Sequence, residues 1–273
     1  MTVAVCLPAL DEQDQIGTTL AALLPLVASG EVQRVVVFDG GSCDATASIA
    51  RASGADVVAT AELRRDLGPV RGKGDSVWRG LGTVTEDIVV LLDADLIADV
   101  AGFARRLVAP LRADPAIAFA KGSFVRLRVD GVTPSDEGGR VSELVARPLL
   151  SLLVPEVAHL QVPLSGQVAI RRSLLERIPL ATGYGLEIAM LIEVVAAVGT
   201  DALREVDLGE ARNPPQSLAD LGRMSAEVIV GLFRALAATD RLSVPGGSGP
   251  TLDALVAPDH PASRAVILRP PLR

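Results

Sequence analysis

The stretch that most constrains the fold is Ile88–Leu96, IVVLLDADL. Five consecutive apolar residues suit a strand buried on both faces, and they run straight into two aspartates separated by one small residue. Open α/β sheets place their ligands at the carboxyl ends of the strands, so Asp93 and Asp95 are expected at the mouth of a crevice. Two hard oxygen donors there suit Mg²⁺ or Mn²⁺ carrying a diphosphate. A helix cap after a buried strand would use the same pair equally well, so the rest of the chain has to decide.

Strand and helix signals alternate through the first half. Val3–Leu7 reads as a strand closed by Pro8, and Gln15–Val27 as a helix. Arg34–Phe38 is a second strand, Asp44–Ser53 a capped helix, Asp56–Ala59 a short strand, and Lys73–Val84 a helix leading to the Ile88–Leu92 strand. This alternation predicts an α/β fold, a mostly parallel sheet with helices on both faces. Beyond the acidic pair, Val100–Leu111 reads as helix, Ala116–Ser123 as strand, Asp130–Arg140 as a flexible loop and Ser142–Leu153 as an apolar helix. Gln167–Ile170 and Ala202–Asp207 read as strands, Gly185–Val198 as a helix. Leu218–Ala238 forms a long helix, apolar over much of its surface and in need of partners within a C-terminal helical annex or a second subunit. From Ser243 onward, VPGGSGP and later prolines predict an irregular tail.

Composition removes several classes. A net charge of −7 and only 3% aromatic residues argue against nucleic-acid binding, which needs a basic face and stacking platforms. Cys6 and Cys43 have no metal-ligand spacing and read as reduced thiols of a cytoplasmic protein. The N-terminus lacks a basic segment and its apolar run is broken by Pro8, so no signal peptide is expected. Leu144–Leu164 is interrupted by Arg147, Pro148, Pro155, Glu156 and Pro163, so no membrane span is expected either.

Two further turns point to the same crevice. Pro8-Ala9-Leu10-Asp11-Glu12 follows the first strand and Asp39-Gly40-Gly41-Ser42 the second, supplying backbone approach and acceptors for a base and ribose, or serving as ordinary strand-to-helix turns. In Arg71-Gly72-Lys73-Gly74-Asp75, glycines flank a lysine at a helix start, which suits an anion, although the spacing is not that of a Walker loop.

Taken together, LPALDE, FDGGSCDAT, GPVRGKGDSVWR, IVVLLDADL, GGRVSELVARPLL, ATGYGLEI and the Leu221–Ser225 region resemble the glucosyl-3-phosphoglycerate synthase family, retaining glycosyltransferases of the GT-A fold, over about residues 3–235. The resemblance implies a UDP-sugar donor, most often UDP-glucose, a divalent metal, Mg²⁺ or Mn²⁺, a small anionic acceptor such as 3-phosphoglycerate, and a homodimer. It places uridine against Pro8, Ala9, Leu10, Glu12 and Gly40, and Lys73 near the base or diphosphate. It puts Asp93 and Ala94 at the ribose or the metal's water, and Asp95 on the metal. The Leu164 backbone, Tyr184 and Glu187 would hold the sugar. Gly138, Gly139, Arg140 and Ser142, with Asn213, would hold the acceptor; a guanidinium beside a hydroxyl is a reasonable phosphate cradle. The implied division is a nucleotide-sugar half over 1–123, an acceptor-binding and helical part over 124–242, and a tail over 243–273.

One departure stands out. The family's metal-binding histidine lies in a Glu-His-Arg-Asn run, whereas this chain has Gly209-Glu210-Ala211-Arg212-Asn213-Pro214-Pro215. Either Ala211 or Asn213 occupies the histidine position, and neither offers an imidazole, so weaker metal binding is expected. His159 and Ser165 also differ from the family beside the sugar and acceptor, which leaves open a different acceptor or sugar. A nucleotidyltransferase and a non-catalytic nucleotide-sugar-binding protein are the competing classes; the first would want a glycine-rich loop after the first strand, and Leu10-Asp11-Glu12-Gln13 supplies none.

Overall fold

The apolar runs pair as their burial demands. In the structure, a computed structural model, strands β1 (Val3–Ala9), β2 (Arg34–Asp39), β3 (Asp56–Ala59) and β4 (Ile88–Leu91) lie parallel in the order β3-β2-β1-β4. The structure describes residues 1–127, 139–212, 216–242 and 260–272. The sheet continues through β5 (Ile97–Ala98), β6 (Phe119–Arg126), β7 (Val168–Arg171) and β9 (Leu203–Arg212), in the order β4-β7-β6-β9-β5. A two-residue strand, β8 (Leu180–Ala181), pairs apart from it with β10 (Leu268–Arg269).

The sheet is mixed, with β7 and β5 running against the rest. The physical reason lies in the connection. β6 ends at the crevice side and β7 starts from that same side, with Val168 opposite Leu91 and Lys121. Among the described residues between them no helix carries the chain back to the far end of the sheet, and β7 pairs antiparallel with both β4 and β6.

Side chains alternate between two cores. Val3, Val5, Leu7, Val35, Val37 and Val90 pack against α1 (Ile16–Ala28), α2 (Thr46–Ala52) and α4 (Val100–Ala113). Ala4, Cys6, Val36, Phe38, Val89 and Leu91 face α3 (Gly72–Leu81), α5 (Arg147–Leu153), α7 (Leu186–Val198) and α8 (Leu218–Ala238). A short α6 (Arg172–Leu175) follows β7. The helices on both faces and the aliphatic core are therefore as the alternation predicts.

Several boundaries differ, among them the expected Ala202–Asp207 strand, which runs on to Arg212, and the expected Lys73–Val84 helix, which ends at Leu81. Pro8 does not end β1: it pairs opposite Phe38, beyond the last β1–β4 partners at Cys6 and Leu91, where one side of the ladder is already open to a residue without an N–H. β6 begins three residues late, because Asp114 turns the chain by accepting the Ala116 and Ile117 amides, and it runs on to Arg126. The expected helix at Ser142 opens with a π-helical turn, Ser142–Ala146, before α5.

The tail is the largest correction. Residues 260–272 form α9 (Pro261–Ala265) and β10, which pairs antiparallel with β8. Arg269 Nε donates to the buried Asp75 carboxylate at 2.7 Å, and Trp78 Nε1 to the Pro270 carbonyl at 2.8 Å, so this segment straps α3 from outside. Residues 243–259 and all but Gly139 and Arg140 of the expected 130–140 loop lie outside the described residues. Among the described residues no helix is long and apolar enough to cross a membrane.

Candidate active site

Register brings the predicted turns together. Ala9 pairs with Asp39, the Gly40 amide donates to the Ala9 carbonyl at 2.9 Å, and the Leu92 amide to the Cys6 carbonyl at 3.1 Å. The first two loops are then laced side chain to backbone: Ser42 Oγ accepts the Asp11 amide at 3.0 Å and Thr46 Oγ1 the Glu12 amide at 2.7 Å. Leu10 is left exposed on the rim and Pro8 lines the floor. Ala94 is fully packed by its methyl and its carbonyl accepts from Thr19 Oγ1 at 3.1 Å, so it offers the crevice backbone only.

At the centre is an ion-pair network. Lys73 Nζ donates to Asp93 Oδ1 at 2.6 Å and to Glu187 Oε1 at 2.7 Å. Gln167 grips Asp93 from the other side, giving Nε2–H to Oδ2 at 2.6 Å and accepting the Asp93 amide at 3.1 Å. Burial by itself would raise the Asp93 carboxyl; Lys73 and Gln167 outweigh it and hold the group below its ordinary value. The same carboxylates overcome the burial of Lys73 and keep it charged.

Asp95 is placed differently. Its carboxylate is engaged by its own backbone amide and by no side chain among the described residues, and burial together with the neighbouring Asp93 charge raises its pKa. Glu12 is pushed up to about 7 by burial and by Asp95, Asp44, Asp93 and Asp11. An unsatisfied carboxylate within a field of like charge fits a hard cation, and Asp95, not the fully engaged Asp93, is the ligand on offer. Among the described residues no three His, Cys, Asp or Glu side chains are grouped to hold a metal; a hard ion such as Mg²⁺ commonly keeps several waters. Of the two positions weighed for the missing histidine, Ala211 is 1% exposed and its methyl offers no donor; Asn213 lies outside the described residues, as does Gly138.

The glycines around Lys73 serve packing. A side chain at Gly74 would come within 2.0 Å of the Ala181 carbonyl, so α3 sits directly on the β8 backbone and carries Lys73 with it. Glu187 opens α7, and the turn before it is fixed by the Tyr184 amide donating to Glu227 Oε2 of α8 at 2.8 Å. Burial also raises the pKa of the Tyr184 hydroxyl. Leu164 sits in a turn closed by the Ser165 amide donating to the Val162 carbonyl at 3.0 Å, next to Gly166, which lines the space beside Lys73.

A cavity of about 290 Å³ opens farther along, lined by Phe124, Arg126, Gly139, Ser142, Arg147 and Gln161 among others. Gly139 and Ser142 are there as expected. Arg140 is not among the lining residues: its Nη2 reaches the Gln216 carbonyl at 3.4 Å instead. The sequence reading also missed Gln167, read only as the start of a strand, and Lys121, 1% exposed on β6 with Nζ donating to the Ser165 carbonyl at 2.7 Å. A lone lysine inside the apolar run Ala116–Phe124 was the available signal. Burial pulls Lys121 down to about 8.

Comparison with known proteins follows the same outline. Residues 1–146 match the model of the glycosyltransferase like family 2. The glucosyl-3-phosphoglycerate synthase of Mycolicibacterium smegmatis is 38% identical over 240 residues, 88% of this chain and 79% of that protein. That of Mycobacterium tuberculosis is 43% identical over 237 residues, 85% of this chain and 72% of the relative. A crystal structure of the M. tuberculosis enzyme with Mn²⁺, UDP-glucose and phosphoglyceric acid superposes with a TM-score of 0.81 at 37% identity, covering 99% of this chain and 90% of the other. Another, with Mn²⁺, UDP and glucosyl-3-phosphoglycerate, gives 0.78 at 41% identity, covering 86% and 80%.

Proposed function

The chain belongs to the glucosyl-3-phosphoglycerate synthase family within the family 2-like glycosyltransferases, and from that premise we propose that it transfers glucose from UDP-glucose to 3-phosphoglycerate with retention at the anomeric carbon. The observation that carries the reading is Lys73 clamped between Asp93 and Glu187 beside an unpartnered Asp95. Uridine lies against Pro8, Ala9, Leu10, Glu12 and Gly40, with Asp93 and Ala94 toward the ribose. A divalent cation, Mg²⁺ or Mn²⁺, held by Asp95 neutralises charge on the diphosphate. Lys73 adds a fixed ammonium at the departing oxygen, and its bond to Glu187 orients that carboxylate toward the sugar hydroxyls, with Tyr184 and the Leu164 backbone completing the sugar site.

The acceptor hydroxyl attacks from the face the diphosphate leaves. Its oxygen bonds to the anomeric carbon, the carbon–diphosphate bond breaks with its electron pair going to UDP, and the hydroxyl proton passes to the released phosphate oxygen. Gly139, Ser142 and the cavity they line hold the acceptor, and Arg140 and Asn213 join that site by resemblance to the family. The reading keeps 1–123 as the donor half and 124–242 as the acceptor half. It also includes a cytoplasmic homodimer, supported by two free cysteines and by the exposed Leu144, just before α5, and Leu152 on α5.

The test is direct: incubate the protein with UDP-glucose, 3-phosphoglycerate and Mg²⁺ or Mn²⁺, and follow UDP by coupled assay and the product by mass spectrometry. Cation-dependent UDP release in step with a glucosylated phosphoglycerate is expected. Preference for a nucleoside triphosphate, or UDP-glucose binding with no transfer, would overturn it.

A further inference from the structure

The acceptor-side cavity carries a charge that its own walls do not cancel. Its ionisable lining residues are Arg126, Glu143 and Arg147. Arg147 is spent internally: Nε donates to Glu143 Oε1 at 2.7 Å and Nη2 to the Gln161 carbonyl. That pair is neutral, and Arg140 is turned toward Gln216, so the net positive charge of the wall resides on Arg126.

Three features aim that guanidinium. It lies at the end of β6, 5.1 Å over the Phe124 ring, a flat support that fixes the plane of the fork. Nη1 rests against Gly139, where an added Cβ would stand only 2.8 Å away, and Gly139 has φ +75°, so this position excludes side chains twice over. No described residue accepts a hydrogen bond from the guanidinium, while Asp93 and Glu143 act on it electrostatically. Burial lowers its pKa against their pull, the condition of a cation awaiting an anion.

We infer that Arg126 is the acceptor-reading residue, docking the carboxylate or phosphate of a small phosphorylated acid through its guanidinium fork and so setting which acceptors the cavity takes. The inference rests on the proposed transfer for its choice of ligand and adds a residue that the sequence resemblance did not assign. Ser142 stands on the same wall, and the Asp93 end of the donor crevice lies within the guanidinium's electrostatic reach.

Titration calorimetry in the presence of UDP and Mg²⁺ tests it, with 3-phosphoglycerate, glycerol 3-phosphate and glycerate as probes. Replacing a charge-assisted bidentate contact in Arg126→Met should weaken phosphoglycerate about tenfold to a hundredfold, with partial recovery in Arg126→Lys and UDP affinity unchanged. If Arg126 holds the carboxylate, the substitution weakens glycerate and spares glycerol 3-phosphate; if it holds the phosphate, the reverse. Gly139→Ala, which displaces the guanidinium without removing it, should weaken phosphoglycerate in the same direction. Equal phosphoglycerate affinity in wild type and Arg126→Met overturns the inference, as does a parallel loss of UDP affinity or a wild type that binds none of the three probes. Binding of phosphoglycerate by wild type without glucose transfer would instead count against the proposed function and leave Arg126 in place.

Discussion

The donor crevice and the acceptor cavity are neighbours built on opposite electrostatic plans. In the crevice Asp93, Glu187, Lys73 and Gln167 satisfy one another at 2.6–2.7 Å, while Asp95 and Glu12 are left with excess negative charge. In the cavity the Arg147–Glu143 pair is closed and Arg126 is left with excess positive charge. A site that must hold a sugar-linked diphosphate leaves room for a cation; a site that must hold an anionic acceptor leaves a cation of its own. The residues without partners indicate the ligand, and the residues with partners keep the geometry.

The largest effect expected from breaking this contrast is at Asp95. Asp95→Asn should lower the rate of UDP release by about a thousandfold, the scale of losing a charge-stabilising group at the reacting centre. The thermal midpoint should hold or rise, since burial and the Asp93 charge outweigh what holds the Asp95 carboxylate in its charged form.

Next is a pair of stability measurements. Lys73→Met leaves Asp93 and Glu187 facing each other and should cost about 2 kcal/mol in denaturant unfolding, reduced from the fully buried case because the lysine side chain is 25% exposed. Arg126→Met should change stability by less than about 0.5 kcal/mol. Equal losses at the two positions would erase the distinction between satisfied and unsatisfied cations.

Smaller, but specific in sign, is a pH effect. Glu12 is raised from 4.5 to about 7, so the folded chain holds a proton that the unfolded chain gives up across that window. Stability should therefore fall as pH rises from about 4.5 to about 7, by the linkage between proton uptake and folding. Glu12→Gln should reduce the slope in cation-free buffer, leaving the part due to Glu193, which burial also raises to about 7. A saturating divalent cation should weaken it in wild type. An unchanged slope in both would mean that Glu12 does not feel its neighbours.

The donor side was largely legible in the sequence because it is local. Glu12, Asp93 and Asp95 each follow a buried strand at a short offset, and the apolar runs of β1, β2 and β4 name their own ends. What escaped reading depends on contacts far apart in the chain. Gln167 reaches Asp93 only because β7 enters antiparallel from the crevice side. Arg126 reaches the cavity because β6 slides three residues past the expected end, a shift decided by the Asp114 turn. The strap at 260–272 looked irregular because its partners, Asp75, Trp78 and Thr182, are some 80–190 residues away. The Gly-Lys-Gly segment suits an anion or a solvated basic turn by sequence, and the close approach of Gly74 to the Ala181 carbonyl depends on a strand more than 100 residues away.

The most direct test of the charge plan is anomalous scattering from crystals grown with Mn²⁺ and UDP. A manganese peak in direct contact with Asp95 and the diphosphate, with Lys73 still bonded to Glu187, is the predicted result. A diphosphate bound by Lys73 with no manganese at Asp95 would contradict the account.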